Sequence, residues 1–265
     1  MILKFKDFFI QEIDQKEDVK TNKVVYIFNF FILSSAIFTL FYFMFTSISY
    51  EFQWDAIYGY RQKFIDGFLM TIYISFFALI LSLIIGVILA YGQNSKFIIL
   101  RFFSRFNIEV IRGTPLLVQI LIFFYVFASN LGFNNRYIVG TVILAMFAGA
   151  YVSEIIRAGI KSIEKGQYES AKSLGFSPLK SYLYIIFPQA FKRILPPLTG
   201  QLASIIKDSS LLSIISINEF TMNAQEVNAY TYSTLESYIP LALGYLALTY
   251  PISYYAKSLE NKLKD

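Results

Sequence analysis

The chain has 265 residues, of which 56% are apolar and only 15% charged, and its mean hydropathy of +0.53 predicts an integral membrane protein. It contains no cysteine and no histidine, which excludes disulfides, thiol catalysis and most transition-metal sites, so no metal site is expected. The net charge of +5 is typical of membrane proteins whose cytoplasmic loops are rich in lysine and arginine. The sequence contains no basic patch interleaved with aromatic residues, so no nucleic-acid partner is expected.

The first part of the chain predicts one membrane span between two polar segments. Residues 1–23 are polar with nearly balanced charges, and we expect a cytoplasmic tail or a short surface helix. Residues 24–46 carry no charge over a length that crosses a bilayer, and predict a retained first transmembrane helix. Residues 47–65 mix aromatic and charged side chains, a composition typical of a membrane–water interface.

Five further apolar runs complete an all-α integral membrane protein with six predicted transmembrane helices. They are residues 65–91, 114–129, 137–160, 194–217 and 238–256. Two runs carry small residues every fourth position, a pattern that favours close helix packing in lipid: Ala78, Ser82, Gly86 and Ala90 in one, and Ala145, Gly149 and Ser153 in the other. Thr114 and Pro115 predict a helix N-terminus, with threonine as the N-cap.

Loop charges predict the orientation of these spans. Lysine and arginine are concentrated in residues 93–112, in residues 161–193 and in the C-terminal tail, whereas residues 218–237 contain neither. Because basic loops stay in the cytoplasm, both termini are expected there and residues 218–237 on the opposite side. Residues 47–65 are then also placed on the opposite side, although their mixed charges do not follow the rule. The charge pattern therefore predicts a multi-pass membrane protein in contact with membrane lipid, and the resemblance described below implies a bacterial cytoplasmic (inner) membrane.

A long polar segment, residues 166–197, separates two of the apolar runs. Its pattern predicts two short helices on the membrane surface, the first beginning after a break at Gly166 and ending at Gly175 with positive φ. Ser177 and Pro178 predict the N-terminus of the second helix, and Pro188 its end. Loops of this length usually have a function of their own, so we expect the segment to bind a partner.

Charged residues within or near the spans are the candidates for a transport pathway. Glu154 and Arg157 stand three positions apart and can pair on one helical face, either as a structural pair or as part of a substrate path. Lys207, Asp208 and Ser210 interrupt another apolar run, which predicts a helix break that lines a cavity. A structural pair between helices is the alternative for Lys207 and Asp208.

Catalytic residues are not expected in this chain. It contains no glycine-rich phosphate-binding loop of the G-x-x-x-x-G-K-[ST] type, so it does not bind ATP in that way. It has no nucleophile motif and, without histidine, few residues that could serve as a base. The sequence therefore predicts a transporter subunit and not an enzyme.

The motifs as a set resemble the permease subunits of ABC transporters for polar amino acids, of the histidine/glutamine type. The segment Gln167–Gly175 resembles the Glu-Ala-Ala loop of those permeases; Arg112-Gly113-Thr114-Pro115, Glu154 with Arg157, and Lys207-Asp208 with Ser210 also match. The resemblance covers residues 66–263. Ser170 replaces the usual alanine and Phe187 the usual leucine, while residues 24–46 and 47–65 lie outside the shared core.

This resemblance implies a five-helix permease core at residues 66–263 preceded by one extra span, with a cytoplasmic coupling loop at residues 161–193. It implies a second permease subunit, identical or related, an ABC ATPase dimer that uses ATP and Mg²⁺, and a periplasmic or lipid-anchored amino-acid-binding protein; no cofactor is expected on this chain. The coupling helix that would contact the ATPase corresponds to Gln167, Glu169, Ser170, Ala171, Leu174 and Gly175.

Three other functions fit parts of this sequence. An osmolyte or methionine ABC permease shares the coupling loop but fits the flanking motifs less well. A secondary carrier driven by an ion gradient usually has internal repeats and more spans, and a structural assembly protein leaves Lys207 and Asp208 without a role. Neither the transported amino acid nor the identity of the second permease follows from the sequence.

Overall fold

The computed structural model describes residues 23–47 and 50–264, and every regular element in these residues is helical. The α-helices are α1 Lys23–Ser47, α2 Trp54–Gly59, α3 Arg61–Gly92, α4 Ile98–Gly113, α5 Leu116–Ile122, α6 Arg136–Lys161, α7 Lys165–Ser173, α8 Pro178–Ser181, α9 Phe187–Asp208, α10 Phe220–Thr231 and α11 Thr234–Lys264. Contacts divide the chain into two units, residues 1–52 and 53–265. Apart from Lys23, the predicted N-terminal tail lies outside the described residues.

Three helices of the described residues are long and apolar enough to cross a membrane: α1, α3 and α6. A fourth candidate is formed by two helical arms, α4 and α5 with its π-helical continuation Phe123–Ala128. The chain bends by 112° between these arms. Helices α9 and α11 are long but contain more polar and charged side chains and internal prolines. An all-helical membrane protein is therefore confirmed, whereas the count of six spans stays a prediction.

The centre of the second unit is the contact between α3 and α6. Gly86 lies so close to α6 that a Cβ built on it would stand 2.4 Å from Cγ1 of Val152, and one built on Gly149 would stand 2.7 Å from Cγ2 of Ile85. Ala78 and Ser82 of α3 are fully buried. The two small-residue faces predicted from the sequence therefore face each other, which allows the backbones to approach closely.

The sharp turn between α4 and α5 is held by one buried amide. Gln119 Nε2 donates to the carbonyl of Ile111 at 2.7 Å, to the carbonyl of Thr114 at 3.1 Å and to Thr114 Oγ1 at 2.8 Å. The predicted N-cap is wrong: Pro115 occupies the N-cap of α5, and the Thr114 hydroxyl donates back to Val110. The Thr114 side chain therefore satisfies a backbone carbonyl at the end of α4 and does not cap the start of α5.

Beyond α9 the chain turns back through a 3₁₀ helix, Ser209–Ile215, and a left-handed residue, Ser216. The carboxylate of Glu219, which is fully buried, then caps α10 by accepting from the backbone N–H groups of Thr221 and Met222. A salt bridge of 2.5 Å from Lys63 to Glu226 fixes α10 against the start of α3.

Candidate functional site

The predicted coupling helix is α7, and it ends in a well-formed C-cap. Gly175 has φ +76°, the Phe176 N–H donates to the carbonyl of Ala171 at 3.1 Å, and the Gly175 N–H donates to the carbonyl of Lys172 at 3.0 Å. This pair of hydrogen bonds is the Schellman arrangement, which requires a left-handed residue at its C′ position. The prediction of positive φ at Gly175 is confirmed.

Most of α7 projects away from the rest of the protein. Of the predicted coupling residues, Gln167, Glu169, Ser170, Leu174 and Gly175 are exposed, and only Ala171 is buried, at 1% exposure. Leu174, at the C-terminal end of α7, is a large apolar side chain that is 75% exposed. The surface of α7 therefore offers polar groups around one protruding apolar residue.

A small apolar core lies beside α7, formed by residues that flank it in the chain and by the start of α9. Ile163, Ile186, Ala190 and Ile194 are buried together where the end of α6 meets α9. Above this core, Gln189 Nε2 donates to Gln167 Oε1 at 3.2 Å, so that the side chain of α9 reaches α7 directly. This hydrogen bond links the exposed helix α7 to α9.

Two helix boundaries predicted in this segment are wrong. Gly166 does not break the preceding helix, because α6 ends at Lys161 and Gly166 lies in the first turn of α7. Pro188 does not end the second short helix, because α8 runs through the π-helical turn Tyr182–Ile186 directly into α9. Proline lacks an N–H, and here it stands in the first turn of α9, directly after a stretch whose hydrogen-bond pattern has already shifted.

The N-terminus of that continuous helix agrees with its prediction. The Ser177 hydroxyl accepts from the Lys180 N–H at 3.4 Å, and Pro178 occupies the first helical turn. Nearby, burial raises the pKa of the Tyr168 hydroxyl, and the neighbouring Tyr182 adds to the effect. Tyr168 therefore remains a neutral hydrogen-bonding group on the coupling helix at physiological pH.

The second candidate feature is a charged cluster at the C-terminal part of α6. Glu154 accepts two hydrogen bonds from Arg157, at 2.8 Å from Nε and 2.6 Å from Nη2, as its spacing predicts. Arg112 at the end of α4 approaches the same carboxylate at 3.1 Å, and its guanidinium lies 5.4 Å from the ring centre of Tyr151. One carboxylate thus holds two guanidinium groups.

A polar cavity of about 390 Å³ opens beside this cluster. It is lined by charged side chains from α4 and α6 and by two amides at the end of α3: Arg105, Glu109, Arg112, Glu154, Arg157, Lys161, Gln93 and Asn94. Gln93 is oriented by its hydrogen bond of 3.0 Å to Ser153 Oγ. Sequence reasoning did not pair Arg112 with Glu154, because the two lie far apart in the chain and no local pattern links them.

The third set of candidates lies where α9 ends. Asp208 is its last residue and the 3₁₀ helix follows at once, so the predicted helix break is observed. The Ser210 hydroxyl donates to the carbonyl of Lys207 at 2.7 Å. In the described residues neither the ammonium of Lys207 nor the half-buried carboxylate of Asp208 has an ion pair, so neither is paired with the cluster at Glu154. Nor do the described residues contain a group of side chains that could hold a metal ion.

Comparison with known proteins identifies the family. Residues 82–265 match the model of the binding-protein-dependent transport system inner membrane component. A putative glutamine transport system permease protein, GlnP, of Rickettsia prowazekii is 38% identical over 75% of this chain and 92% of its own length; the glutamine transport system permease protein GlnP of Escherichia coli K12 is 35% identical over 81% and 99%. The chain belongs to this family, and it is a permease subunit of a membrane transporter.

Solved structures agree with this assignment. A chain of an amino acid ABC transporter crystallised with histidines is 34% identical, with a TM-score of 0.75 over 80% of this chain and all of that one. A chain of the MetNI methionine ABC transporter is 16% identical, with a TM-score of 0.60, and shares the fold. The resemblance to ABC permeases for polar amino acids is thereby confirmed.

Proposed function

We propose that this chain is the transmembrane permease of an ATP-driven importer that moves a polar amino acid into the cytoplasm. The proposal is supported by the relatives named for glutamine and by the amino acid ABC transporter of the same fold. The observation that carries it is α7, an exposed helix with a rigid C-cap at Gly175 and an apolar core beneath it. A chain without a phosphate-binding loop needs such a contact to receive work from a separate ATPase.

In this proposal α7 docks on a cytoplasmic ABC ATPase dimer, which binds the ATP and Mg²⁺. Leu174 is the apolar contact, because its exposed side chain gains most from burial against a partner. Glu169, Ser170 and Gln167 supply the surrounding polar contacts, and Ala171 faces inward to keep the helix seated. Force from the ATPase passes through Gln167 and Gln189 to α9.

The substrate path in this proposal runs past the charged cluster. A free amino acid carries one carboxylate and one ammonium group, and the cavity presents guanidinium groups at Arg112 and Arg157 beside the carboxylate of Glu154. Complementary charges of both signs at one place suit such a zwitterion. Lys207, Asp208 and Ser210 mark a second stage of the path at the end of α9, where partners from the other permease subunit would compensate them.

The remaining partners complete a transporter in the bacterial cytoplasmic membrane. A second permease, identical or related, forms the other half of the pore, and a periplasmic or lipid-anchored binding protein delivers the amino acid. Both termini and α7 lie in the cytoplasm in this arrangement, in keeping with the basic loops. The connection that contains α10 then faces the binding protein.

Uptake by the reconstituted assembly tests the proposal. The full chain is purified with its ATPase and second permease, placed in proteoliposomes with ATP inside, and supplied with binding protein and radiolabelled glutamine, histidine or arginine outside. We expect uptake of at least one of these amino acids that requires both ATP and the binding protein. Uptake that is unaffected by omitting ATP but abolished by collapsing an ion gradient would contradict it.

A further inference from the structure

We propose that the groove between the C-terminal ends of α3 and α6 binds one anionic phospholipid. The groove encloses about 670 Å³ and lies within the second unit of the chain. It is lined by the last turns of α3 and α6, by the connection that follows α3, and by Tyr182 at the start of the π-helical turn after α8. The groove shares Asn94, Arg157 and Lys161 with the polar cavity beside Glu154, and the inference rests on the cytoplasmic orientation of this end in the proposed function.

The floor of the groove is apolar and open. Val87 and Tyr91 of α3 are 56% and 77% exposed, and Ile156 and Ile160 of α6 complete the floor from the other side. On each helix the two floor residues are four positions apart, so they stand one above the other along the helix axis. Two parallel apolar strips of this kind fit the acyl chains of a lipid.

The rim of the groove is positively charged. Lys96, in the connection after α3, and Lys161, the last residue of α6, are both exposed and both line the groove. Neither ammonium group has a hydrogen bond or an ion pair in the described part of the chain, and no aspartate or glutamate lines the groove there. Arg157 also reaches the groove, but Glu154 already holds its guanidinium. Two lysines thus remain available for an anion.

The apolar floor and the basic rim follow each other along the groove, and this arrangement fits an amphiphile better than other occupants. Both α3 and α6 change from apolar to basic toward the same end, so an acyl chain on the floor places its headgroup at the lysines. A small soluble anion would use the rim and leave the floor exposed. A symmetric contact with a second copy would bring like-charged grooves together, which is unfavourable. Basic grooves at the cytoplasmic ends of spans are where anionic headgroups bind.

Native mass spectrometry of the complete transporter tests the proposal. The complex is extracted from phosphatidylcholine vesicles that contain a small fraction of phosphatidylglycerol, and the phosphatidylglycerol molecules retained are counted. Each lysine near an anionic headgroup adds to the affinity for the lipid. We therefore expect the affinity for phosphatidylglycerol to fall roughly fivefold in Lys96→Gln or Lys161→Gln alone, and roughly twentyfold in the double variant. The control is Lys180→Gln with Lys262→Gln, two exposed lysines outside the groove, which should retain the lipid as the unchanged protein does.

Three results would overturn the assignment. The first is equal retention of phosphatidylglycerol by the Lys96→Gln, Lys161→Gln double variant and its control. The second is displacement of the lipid by soluble glycerol phosphate at matched concentration, which would show that the floor plays no part. The third is dissociation of the two permeases in the double variant with lipid retention unchanged, which would make the groove a subunit interface. Failure of amino-acid uptake in the unchanged complex bears only on the transport proposal.

Discussion

At the scale of single residues, the helices of this permease are held by contacts that tolerate little added volume. Gly86 lies against Val152 and Gly149 at the centre of the α3–α6 contact, where a Cβ would stand 2.4 Å and 2.7 Å from the valine side chain. In lipid, close backbone approach and van der Waals contact replace the hydrophobic drive that packs soluble helices. Loss of fit at this point therefore affects the stability of the bundle directly.

We expect Gly86→Ala to lower the stability of the protein by about 1–3 kcal/mol, because overpacking forces neighbouring atoms to move. The measurement is the apparent Tm of the purified protein in detergent. Gly200→Ala is the matched control, since Gly200 also lies inside a helix but has open space where a Cβ would be placed. That variant should keep or slightly raise the Tm. Val152→Ala added to Gly86→Ala should restore part of the loss.

The charged cluster at α6 gives the second residue-scale prediction. In Glu154→Gln the two guanidinium groups of Arg112 and Arg157 lose their shared partner. Because these side chains are partly exposed, stability should fall by only about 0.5–1 kcal/mol. Uptake at low substrate concentration should fall roughly tenfold or more, the size expected when a hydrogen bond to a charged group is lost.

The matched control is Glu109→Gln. Glu109 lines the same cavity but has no ion pair in the described residues. Its uptake should remain within a factor of about two of the unchanged protein, the range of a minor contact. Equal loss in both variants would show that general charge in the cavity matters and not the pairing of Glu154.

At the scale of elements, the predicted coupling segment consists of two helical parts that differ in polarity and length. Helix α7 is polar, exposed and closed by a left-handed glycine, whereas α8 and α9 form one continuous helix through a π-helical turn. If α7 docks on an ATPase as proposed, this continuous helix, which contains Pro196 and Pro197, would connect the docking surface to the end of α9 at Asp208.

We expect Gly175→Asp to abolish ATP-dependent uptake and to reduce co-purification of the ATPase, while the protein still inserts into membranes. An aspartate resists the positive φ of this position, so the C-cap of α7 and the exposed side chain of Leu174 should be displaced. Uptake and a pull-down of the ATPase measure the two effects.

Gly132→Asp separates coupling from backbone strain. Gly132 has the same φ of +76° and the same open surroundings, but it lies between α5 and α6, outside the coupling segment. Its replacement should leave the ATPase bound. Normal uptake and normal ATPase binding in Gly175→Asp would refute the docking role of α7.

At the scale of the whole molecule, the described chain leaves charges that it does not satisfy itself. Lys207 and Asp208 stand at the end of α9 without an ion pair in the described residues. Charges at membrane depth are costly, so they require compensation by water, substrate or another subunit. In the proposed transporter, the second permease subunit would supply that compensation.

Replacing Lys207 or Asp208 by alanine should alter the affinity or the rate of uptake without releasing the ATPase, because both residues lie at the far end of α9 from α7. Uptake kinetics and a pull-down of the ATPase from the same preparation measure the two properties. The contrary outcome is loss of the ATPase together with loss of uptake, which would make these residues structural.

Much of this architecture could be predicted from the sequence, because the determining patterns are local. Long apolar runs predicted the spans in α1, α3 and α6, and small residues at every fourth position predicted the face of α3 that contacts α6. Gly175 predicted the end of α7, and Ser177 the start of α8. The errors at Gly166 and Pro188 arise because both residue types usually interrupt a helix. Gly166 instead stands in the first turn of α7, and Pro188 follows a π-helical turn whose hydrogen bonds have already shifted from the α-helical pattern.

By itself, then, the sequence determined the membrane class of this protein and the pairing of Glu154 with Arg157, since both depend on composition or on spacing within a few turns. Tertiary structure alone decided that Arg112 joins that pair, that Gln119 holds the 112° bend, and that Lys63 reaches Glu226. These contacts join residues from different elements, and their geometry is set by how the helices pack and not by any local pattern.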